Sequence, residues 1–456
     1  MVKKYDYDYI IIGSGPAGST AALNLAKSRS KRIALVDGGS FGGANLHTRD
    51  IPYGVSLGFS HTYHHLASYP EVAAHDIHYN FPTVIAHQER IVSYMSHYNS
   101  ERYKKAGLTL ISGYANFLDP HTIAVGSKKY TANTFIIATG AHLKQSEISG
   151  TNIVEHLTPD TALKLRRLPK FVFIVGGGST GCEIAQYYAE LGAKVLIMER
   201  APRLLPREDT EVSTAITEYF TTKLGIMVIP DSKVVAIEND GKLRRVIFTS
   251  KNQEKMVRVD CIVLATGSEP SLDLGLENAG VKFKNTGILV SKLFQTSAKH
   301  IYAIGDCVGG ESSTERAEYE ATILATNLRT RAKNLVNYNG FIRLTDTYPR
   351  IATVGMNEQD LLARDKKCRK VIIDYKDLPV SKIDRMNYGF VKVLADKNNH
   401  IIGATVVSPY ADLIAEEFAL AIRHRLSALE LASTPHVANG WNAAVKLACR
   451  RLIKMK

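Results

Sequence analysis

Closely spaced cysteines are absent from this chain. Its five cysteines, Cys182, Cys261, Cys307, Cys368 and Cys449, form no CxxC or CxxxxC pair, so neither a local redox dithiol nor a short zinc motif is present. Long apolar runs are absent too. The longest, such as Tyr9–Ile12 and Phe171–Val175, are strand-sized and soon broken by glycine or charge, far short of a membrane span. The first residues, Met1-Val-Lys-Lys-Tyr-Asp, run straight into a strand without a separate apolar region or cleavage site, so no leader is expected and the cytoplasm is the expected compartment. No low-complexity linker interrupts the 456 residues, about three domains' worth of chain. Positive charge is in excess, 57 Lys and Arg against 44 Asp and Glu, but it is scattered from Lys27 to Lys456 and not gathered into a stripe. That distribution fits a field drawing in anionic nucleotides, and no nucleic-acid partner is expected.

What the chain does contain is one pattern written twice. Tyr9–Ile12 is a buried strand by its apolar run, Gly13-Ser-Gly15-Pro-Ala-Gly18 follows at once, and a helix is predicted over Ser19–Lys27. Gly13 permits the tight turn, Gly15 lets a pyrophosphate approach the backbone, and Gly18 allows close helix packing, while the helix's free N–H groups face the phosphates. Ile33–Val36 then ends in Asp37, about twenty residues beyond the glycines, where an acid accepts hydrogen bonds from a ribose. Phe171–Val175, Gly176-Gly-Gly178-Ser-Thr-Gly181, a helix through Ala189, and Val195–Met198 ending in Glu199 repeat the arrangement. Glu199 holds a 2′-hydroxyl and repels a 2′-phosphate, which favours NADH; the neighbouring Arg200 and Arg203 keep NADPH open. A duplicated, doubly wound α/β architecture with two dinucleotides is therefore expected. From near Thr345, short strand patterns at Lys370–Asp374 and Phe390–Leu394 and a helix over Ala411–His424 predict an α+β domain.

Gly13–Gly18, Phe41–Asn45, Ile136–Gly140, the stretch from Ile174 to Asp209, Leu264–Pro270, Leu276–Val281, Thr296 to Asp306 and Pro349 to Glu358 together resemble one class of enzymes. It is the class of pyridine nucleotide-disulfide oxidoreductases that includes dihydrolipoamide dehydrogenase, glutathione reductase and mercuric reductase, and the resemblance runs from Tyr7 to about Leu447. It implies an α/β fold of two Rossmann-like domains, FAD- and NAD(P)-binding, with a C-terminal α+β dimerisation domain and hence a homodimer. The implied division is 1–155 for the first part of the FAD domain, 156–272 for the NAD(P) domain, 273–338 for the second, central part of the FAD domain and 339–456 for dimerisation. For FAD the resemblance implies Gly13, Gly15, Pro16, Ala17, Gly18, Asp37, Gly38, Gly43, Ala44, Ala115, Thr139, Gly140, Gly305 and Asp306, the last on the ribityl chain. For NAD(P)H it implies Gly176, Gly178, Thr180, Gly181, Glu199, Arg200 and Gly267, with Glu183 close to the nicotinamide.

The chain departs from this class where the class keeps its disulfide chemistry. The two cysteines expected after the first unit read Asn45 and Asp50; Pro52 still matches, and the lysine expected two residues later is Gly54. Asn and Asp cannot accept two electrons or form a mixed disulfide, so reduction of a disulfide by the thiolate route is excluded. The carboxyl-terminal His-Pro motif and its Glu fall on Thr434-Pro435 and Asn439, so the acid–base dyad is missing as well. His436, two positions beyond, has no orienting partner visible in the sequence and reads as structural.

What remains is hydride transfer from NAD(P)H to FAD and onward to a small-molecule electron acceptor such as a quinone, oxygen or a metal ion. Two alternatives stand beside it, a soluble pyridine nucleotide transhydrogenase and a non-catalytic, NADH-sensing flavoprotein. Asn45, Asp50 and Glu183 are the candidate catalytic residues. Asp50 reads as a proton donor near the ring, as a carboxylate disfavouring the anionic reduced flavin, or as a helix-N-terminal acid. Ser179 stands where some relatives carry an aromatic gate.

Seven of the fifteen histidines lie between His61 and His97, and His61, His64 and His65 share one helical face. No carboxylate or cysteine completes a ligand set with them, and no metal is expected. The tail Trp441–Lys456 reads as the last helix of the final domain, with an interfacial basic helix as the other reading.

Overall fold

The computed structural model describes residues 5–67, 69, 71 and 79–455, so His75 and His78 of the histidine-rich stretch lie outside the described residues. In chain order the principal elements are β1 (Tyr7–Ile12), α1 (Pro16–Ala26), β2 (Ile33–Asp37), α2 (Asp50–Ala67), β3 (Phe171–Val175), α3 (Ser179–Glu190), β4 (Lys194–Met198), α4 (Thr314–Thr330), α5 (Ala411–His424) and α6 (Ala443–Lys454). The chain divides into two units. One comprises Met1–Ser56, Pro82–Gln145 and Thr266–Asn337; the other comprises Leu57–Phe81, Ser146–Ala265 and Tyr338–Lys456.

In the first unit β1 runs parallel between β2 and Lys128–Ile137, with Ile11 opposite Leu35 on one side and Ile136 on the other. Thr109–Ser112 and Ile301–Ala303 extend the parallel part, while Thr122–Val125 and Ala115–Asp119 continue it antiparallel. A strand covered on both faces reads as a continuous apolar run, and Ile10, Ile11 and Leu35 are fully buried. Ala21 and Ala22 of α1 and Ala321 and Leu324 of α4 share one core with Ile11 and Leu35 of the sheet. Small side chains there let two helices lie close together over the strands. The helix α1 starts earlier than the apolar period predicts because Pro16 opens it, at a position where the missing N–H costs nothing.

The second unit repeats the parallel motif. β3 lies between β4 and Cys261–Leu264, Met227–Ile229 lies beyond β4, and all four strands are parallel. A three-stranded antiparallel sheet, Ser232–Asp240, Leu243–Ser250 and Gln253–Val259, interrupts it in sequence. The C-terminal part is a five-stranded antiparallel sheet in the order Ile342–Thr345, Arg350–Gly355, Ile401–Ser408, Phe390–Ala395, Arg369–Asp374. Ile414, Ala415 and Phe418 of α5 and Val445, Ala448 and Leu452 of α6 fill its core. The apolar stripe of α6 is thereby used inside the protein, which selects the last-helix reading over the interfacial one. Among the described residues no helix is long and apolar enough to cross a membrane.

Among the described residues one lysine is buried in a core. Lys392 is fully buried in Phe390–Ala395, and its Nζ lies 2.8 Å from Asp209, 2.9 Å from Glu211 and in short contact with Glu358. Burial pulls the ammonium's pKa down, but bonds to the three carboxylates outweigh it and the net shift is upward. Among the described residues these three acids are the one cluster spaced to hold a metal ion, and a lysine fills it.

Candidate active site

A cavity of about 710 Å³ opens in the first unit, within the range of cofactor pockets. Gly13, Gly15, Pro16 and Ala17 of the first glycine turn line it, with Asp37, Gly38, Gly43, Ala44, Ala115, Thr139, Gly140, Gly305 and Asp306. Asn45 and Asp50 line it as well. Gly18 does not; it packs behind the wall, where an added Cβ would lie 1.8 Å from the Gly13 carbonyl oxygen. Gly13 takes φ +102°, and a Cβ there would lie 2.2 Å from the Ala138 carbonyl. On Gly15 a Cβ would meet nothing within 4 Å, so the turn is closed toward the protein and open toward the cavity at the N-terminus of α1. That is the cradle a pyrophosphate needs, and the residues present fit FAD.

The acids at the two dinucleotide turns are held by backbone. Asp37 Oδ2 accepts from the Ser14 N–H at 2.8 Å and its Oγ at 2.5 Å, and Oδ1 accepts from the Gly39 N–H at 2.8 Å. A carboxylate offers about four acceptor sites, so one is left toward a ribose. Across the cavity Asp306 accepts a short hydrogen bond from Ser312 Oγ. Burial pushes the Asp306 carboxyl upward against the Ser312 bond and the Arg316 charge, and the charges of Glu320 and Asp50 add to the rise. Asp306 is thus biased toward hydrogen bonding with an uncharged polyol and away from bearing an isolated charge.

At the positions where thiols were expected, a polar trio stands. Asn45 Nδ2 donates to Asp50 Oδ2 at 2.6 Å and lies 2.8 Å from Thr314 Oγ1, while Thr314 Oγ1 donates to the same Asp50 oxygen at 2.6 Å. Thr314 opens α4 behind its Ser313 N-cap and also lines the cavity. The sequence reading missed it; Ser313 before a helical run signals the helix start, but nothing local announces a contact to Asp50. All five cysteines are free. Cys307, next to Asp306, donates to the Ile137 and Ile304 carbonyls, and burial pushes its thiol up to about 12.

In the second unit Gly176 takes φ +109°, a Cβ on Gly181 would lie 1.9 Å from the Gly176 carbonyl oxygen, and one on Gly178 would meet nothing. Glu199 accepts from the Gly177 N–H at 2.6 Å and the Ala201 N–H at 2.7 Å, which holds its carboxylate at the end of β4. Arg200 is exposed, but Arg203 turns back to the carbonyls of Pro206 and Glu208, at 3.4 and 3.1 Å. Thr180 sits with Ser179 in the first turn of α3, and Glu183 Oε1 accepts from the Asp346 N–H at 2.9 Å. Gly267 falls in the first unit, where its carbonyl accepts from Lys144.

Two histidine readings are sharpened. His436 does have an orienting partner, Glu417 of α5 at 2.8 Å from Nε2, while Nδ1 bonds the Thr434 carbonyl at 2.8 Å. Both of its nitrogens are thus engaged. His61 is likewise engaged through both nitrogens, by Glu190 and the Asp346 carbonyl.

Two glycine-turn dinucleotide sites on parallel sheets, with a C-terminal α+β part, define a flavoprotein oxidoreductase. Residues 7–321 match the model for the pyridine nucleotide-disulphide oxidoreductase family and residues 343–447 match that of its dimerisation domain, and the chain belongs to this family. Mercuric reductase from Staphylococcus aureus is 31% identical over 91% of this chain and 78% of its own length. Dihydrolipoyl dehydrogenase from Staphylococcus aureus is 30% identical over 94% and 93%. Among solved structures, LpdA from Mycobacterium tuberculosis matches with a TM-score of 0.87 at 25% identity, covering 97% of this chain and 99% of that one. The Cu(II) complex of RclA, an HOCl-induced flavoprotein disulfide reductase from Escherichia coli, matches with a TM-score of 0.88 at 23% identity over 98% and 100%. FAD and a nicotinamide nucleotide are the cofactors typical of the family.

Proposed function

We propose that the protein is a homodimeric, FAD-dependent NAD(P)H oxidoreductase that delivers electrons to a non-disulfide acceptor, a quinone, oxygen or a metal ion. FAD, when bound, supplies the two-electron relay. Gly13, Gly15 and the N-terminus of α1 would receive its pyrophosphate, Asp37 its ribose and Asp306 its ribityl chain, in the part formed by 1–155 and 273–338. Gly176, Gly178 and Gly181 would receive the nicotinamide nucleotide in 156–272, with Glu183 nearest the nicotinamide. Glu199, held for a ribose hydroxyl, together with the engagement of Arg203 by loop carbonyls, supports NADH over NADPH. Exposed Leu413 and Leu420 on α5 supply apolar surface for self-association within 339–456.

The observation that carries the reading is the Asn45–Asp50–Thr314 trio on the cavity wall, which holds a carboxylate and two neutral donors where a redox disulfide would have to lie. Neither Asn nor Asp has a state two electrons lower, so electrons leave from the cofactor itself. The test is anaerobic reduction of the yellow protein by NADH and by NADPH, followed by reoxidation with menadione, oxygen, metal ions, lipoamide and glutathione disulfide. Reoxidation by the first three and not by the disulfides is expected; enzymatic rates with lipoamide or glutathione disulfide would overturn it.

A further inference from the structure

Two side chains on one face of α3, Glu183 and Gln186, grip the segment 346–348, and Glu190 on the same face holds Gln186 and His61. Glu183 Oε1 accepts from the Asp346 N–H at 2.9 Å. Gln186 brackets Tyr348, accepting from its N–H at 2.9 Å and donating to its carbonyl at 2.7 Å, and it also donates to Glu190 Oε1 at 2.7 Å. Glu190 Oε2 lies 2.8 Å from His61 Nδ1, and His61 Nε2 lies 3.1 Å from the Asp346 carbonyl oxygen. The Glu190 side chain is fully buried and that of His61 is 8% exposed. A carboxylate and a carbonyl only accept, so bonding both requires a proton on each ring nitrogen. In its doubly protonated form His61 donates to both and balances a buried carboxylate.

We propose that His61 is a positioning residue for Glu183, acting through Asp346: it pins the Asp346 carbonyl on one side of the Cα while Glu183 takes the N–H on the other. The proposal rests on the reading of Glu183 as the side chain nearest the nicotinamide. The Asp346 backbone is in turn fixed on both sides, since its N–H and carbonyl flank one pair of backbone torsions. Loss of the His61 bond frees one of them, and a displacement of an ångström at a positioned group is enough to slow a transfer step substantially.

Among the described residues, charged and titratable groups face His61 from three elements. Glu190 comes from α3, Asp346 and Tyr348 from the gripped segment, and His64 and His65 from α2 itself. Asp346 is neutralised by Arg350 at 2.6 Å, which also reaches Asp412 of α5 at 3.0 Å. The Tyr348 ring stacks on His61 at 5.5 Å, and burial pushes its hydroxyl up to about 12, so it stays neutral. Burial pulls the His61 titration down, but the bond and charge of Glu190 outweigh this and raise it overall. The pinned state accordingly belongs to lower pH and is lost as pH rises past that raised value.

The experiment uses the full chain loaded with FAD, with H61Q, E190Q and H61Q/E190Q beside wild type. Stopped-flow reduction by NADH is followed from pH 6 to 9, and amide hydrogen exchange is measured over 342–350. H61Q and the double variant are expected to be reduced about tenfold more slowly, with NADH affinity changed less than about twofold and exchange at Asp346 about tenfold faster. Wild type slows as pH rises through the His61 titration, and the variants lack that limb. The double variant carries no uncompensated buried charge, so it decides the matter if H61Q does not fold. Wild-type reduction rates and pH profile in the double variant would overturn the proposal alone. If NADH reduces no form, hydride transfer by this protein is the reading that fails; unchanged exchange at Asp346 overturns the pinning, and faster exchange supports it.

Discussion

Asn45 and Asp50 are joined by a hydrogen bond of 2.6 Å from Nδ2 to Oδ2, and Thr314 donates to the same carboxylate oxygen. Two donors thus converge on one carboxylate oxygen at the cavity wall. A fixed negative charge beside a flavin ring disfavours the anionic reduced form. D50N keeps the shape and removes the charge, so the two-electron midpoint potential of bound FAD is expected to rise by about 30 mV, the equivalent of about 1.4 kcal/mol. Dye-equilibrated anaerobic titration measures it. An unchanged potential would reduce Asp50 to an acid at the N-terminus of α2.

The thiols make a second prediction. Burial raises Cys261, Cys307 and Cys449 to about 12 and Cys182 well above its ordinary value, which leaves almost no thiolate at neutral pH. Incubation with NADH and iodoacetamide is therefore expected to leave NADH:menadione turnover within about twofold of the untreated enzyme. Progressive inactivation that depends on prior reduction by NADH would reveal a working dithiol and defeat the non-disulfide reading.

Much of this was legible in the sequence because it is local. The glycine turns, their terminal acids Asp37 and Glu199, and the helix Ala411–His424 are set by spacing within a few turns or one strand. That Asn45 and Asp50 stand where the resemblance expects cysteines was read from position alone. What escaped was long-range: Thr314 meets Asp50 across 264 residues, and His61 meets Glu190 across 129. A histidine on an apolar helical face carries no mark of which carboxylate it will find. Lys392 escaped for a related reason, since its acids come from the start of one helix and from another part of the chain. His436 was read as structural for want of an orienting partner, and its partner Glu417, nineteen residues earlier, was not foreseen.

The two glycine turns allow the cofactor sites to be separated by single methyl groups. A Cβ on Gly15 or on Gly178 meets no protein atom within 4 Å and neither residue has a positive φ, so G15A and G178A are expected to fold normally. G15A places its methyl where the FAD pyrophosphate would approach and should weaken FAD binding by at least about tenfold, loss of one close backbone contact costing about 1.4 kcal/mol. G178A should leave the protein yellow and weaken NADH binding by a similar factor. FAD retention on desalting and NADH titration distinguish them. If both variants lose FAD, the assignment of two separate dinucleotide turns is wrong.

Lys392 gives the last prediction, and its sign depends on pH. Burial raises Glu211 and Glu358, but hydrogen bonds from Lys392 and Lys370 outweigh burial and hold both carboxyls below their ordinary value of 4.5. A carboxylate with a depressed folded pKa contributes stability that is present above the unfolded value and is lost as pH falls through the folded one. Wild type should therefore lose stability as pH falls from 5 to about 3. K392M removes the buried ammonium, leaves Asp209 without its 2.8 Å partner and forces like charges together, at an expected cost of roughly 3–5 kcal/mol near neutral pH. In that variant protonating the acids relieves the repulsion, so mild acid narrows its deficit against wild type. Urea unfolding at pH 7.5, 5 and 4 reads both trends. A K392M deficit that is small at neutral pH, or that grows as pH falls, would show that the three acids do not depend on this lysine.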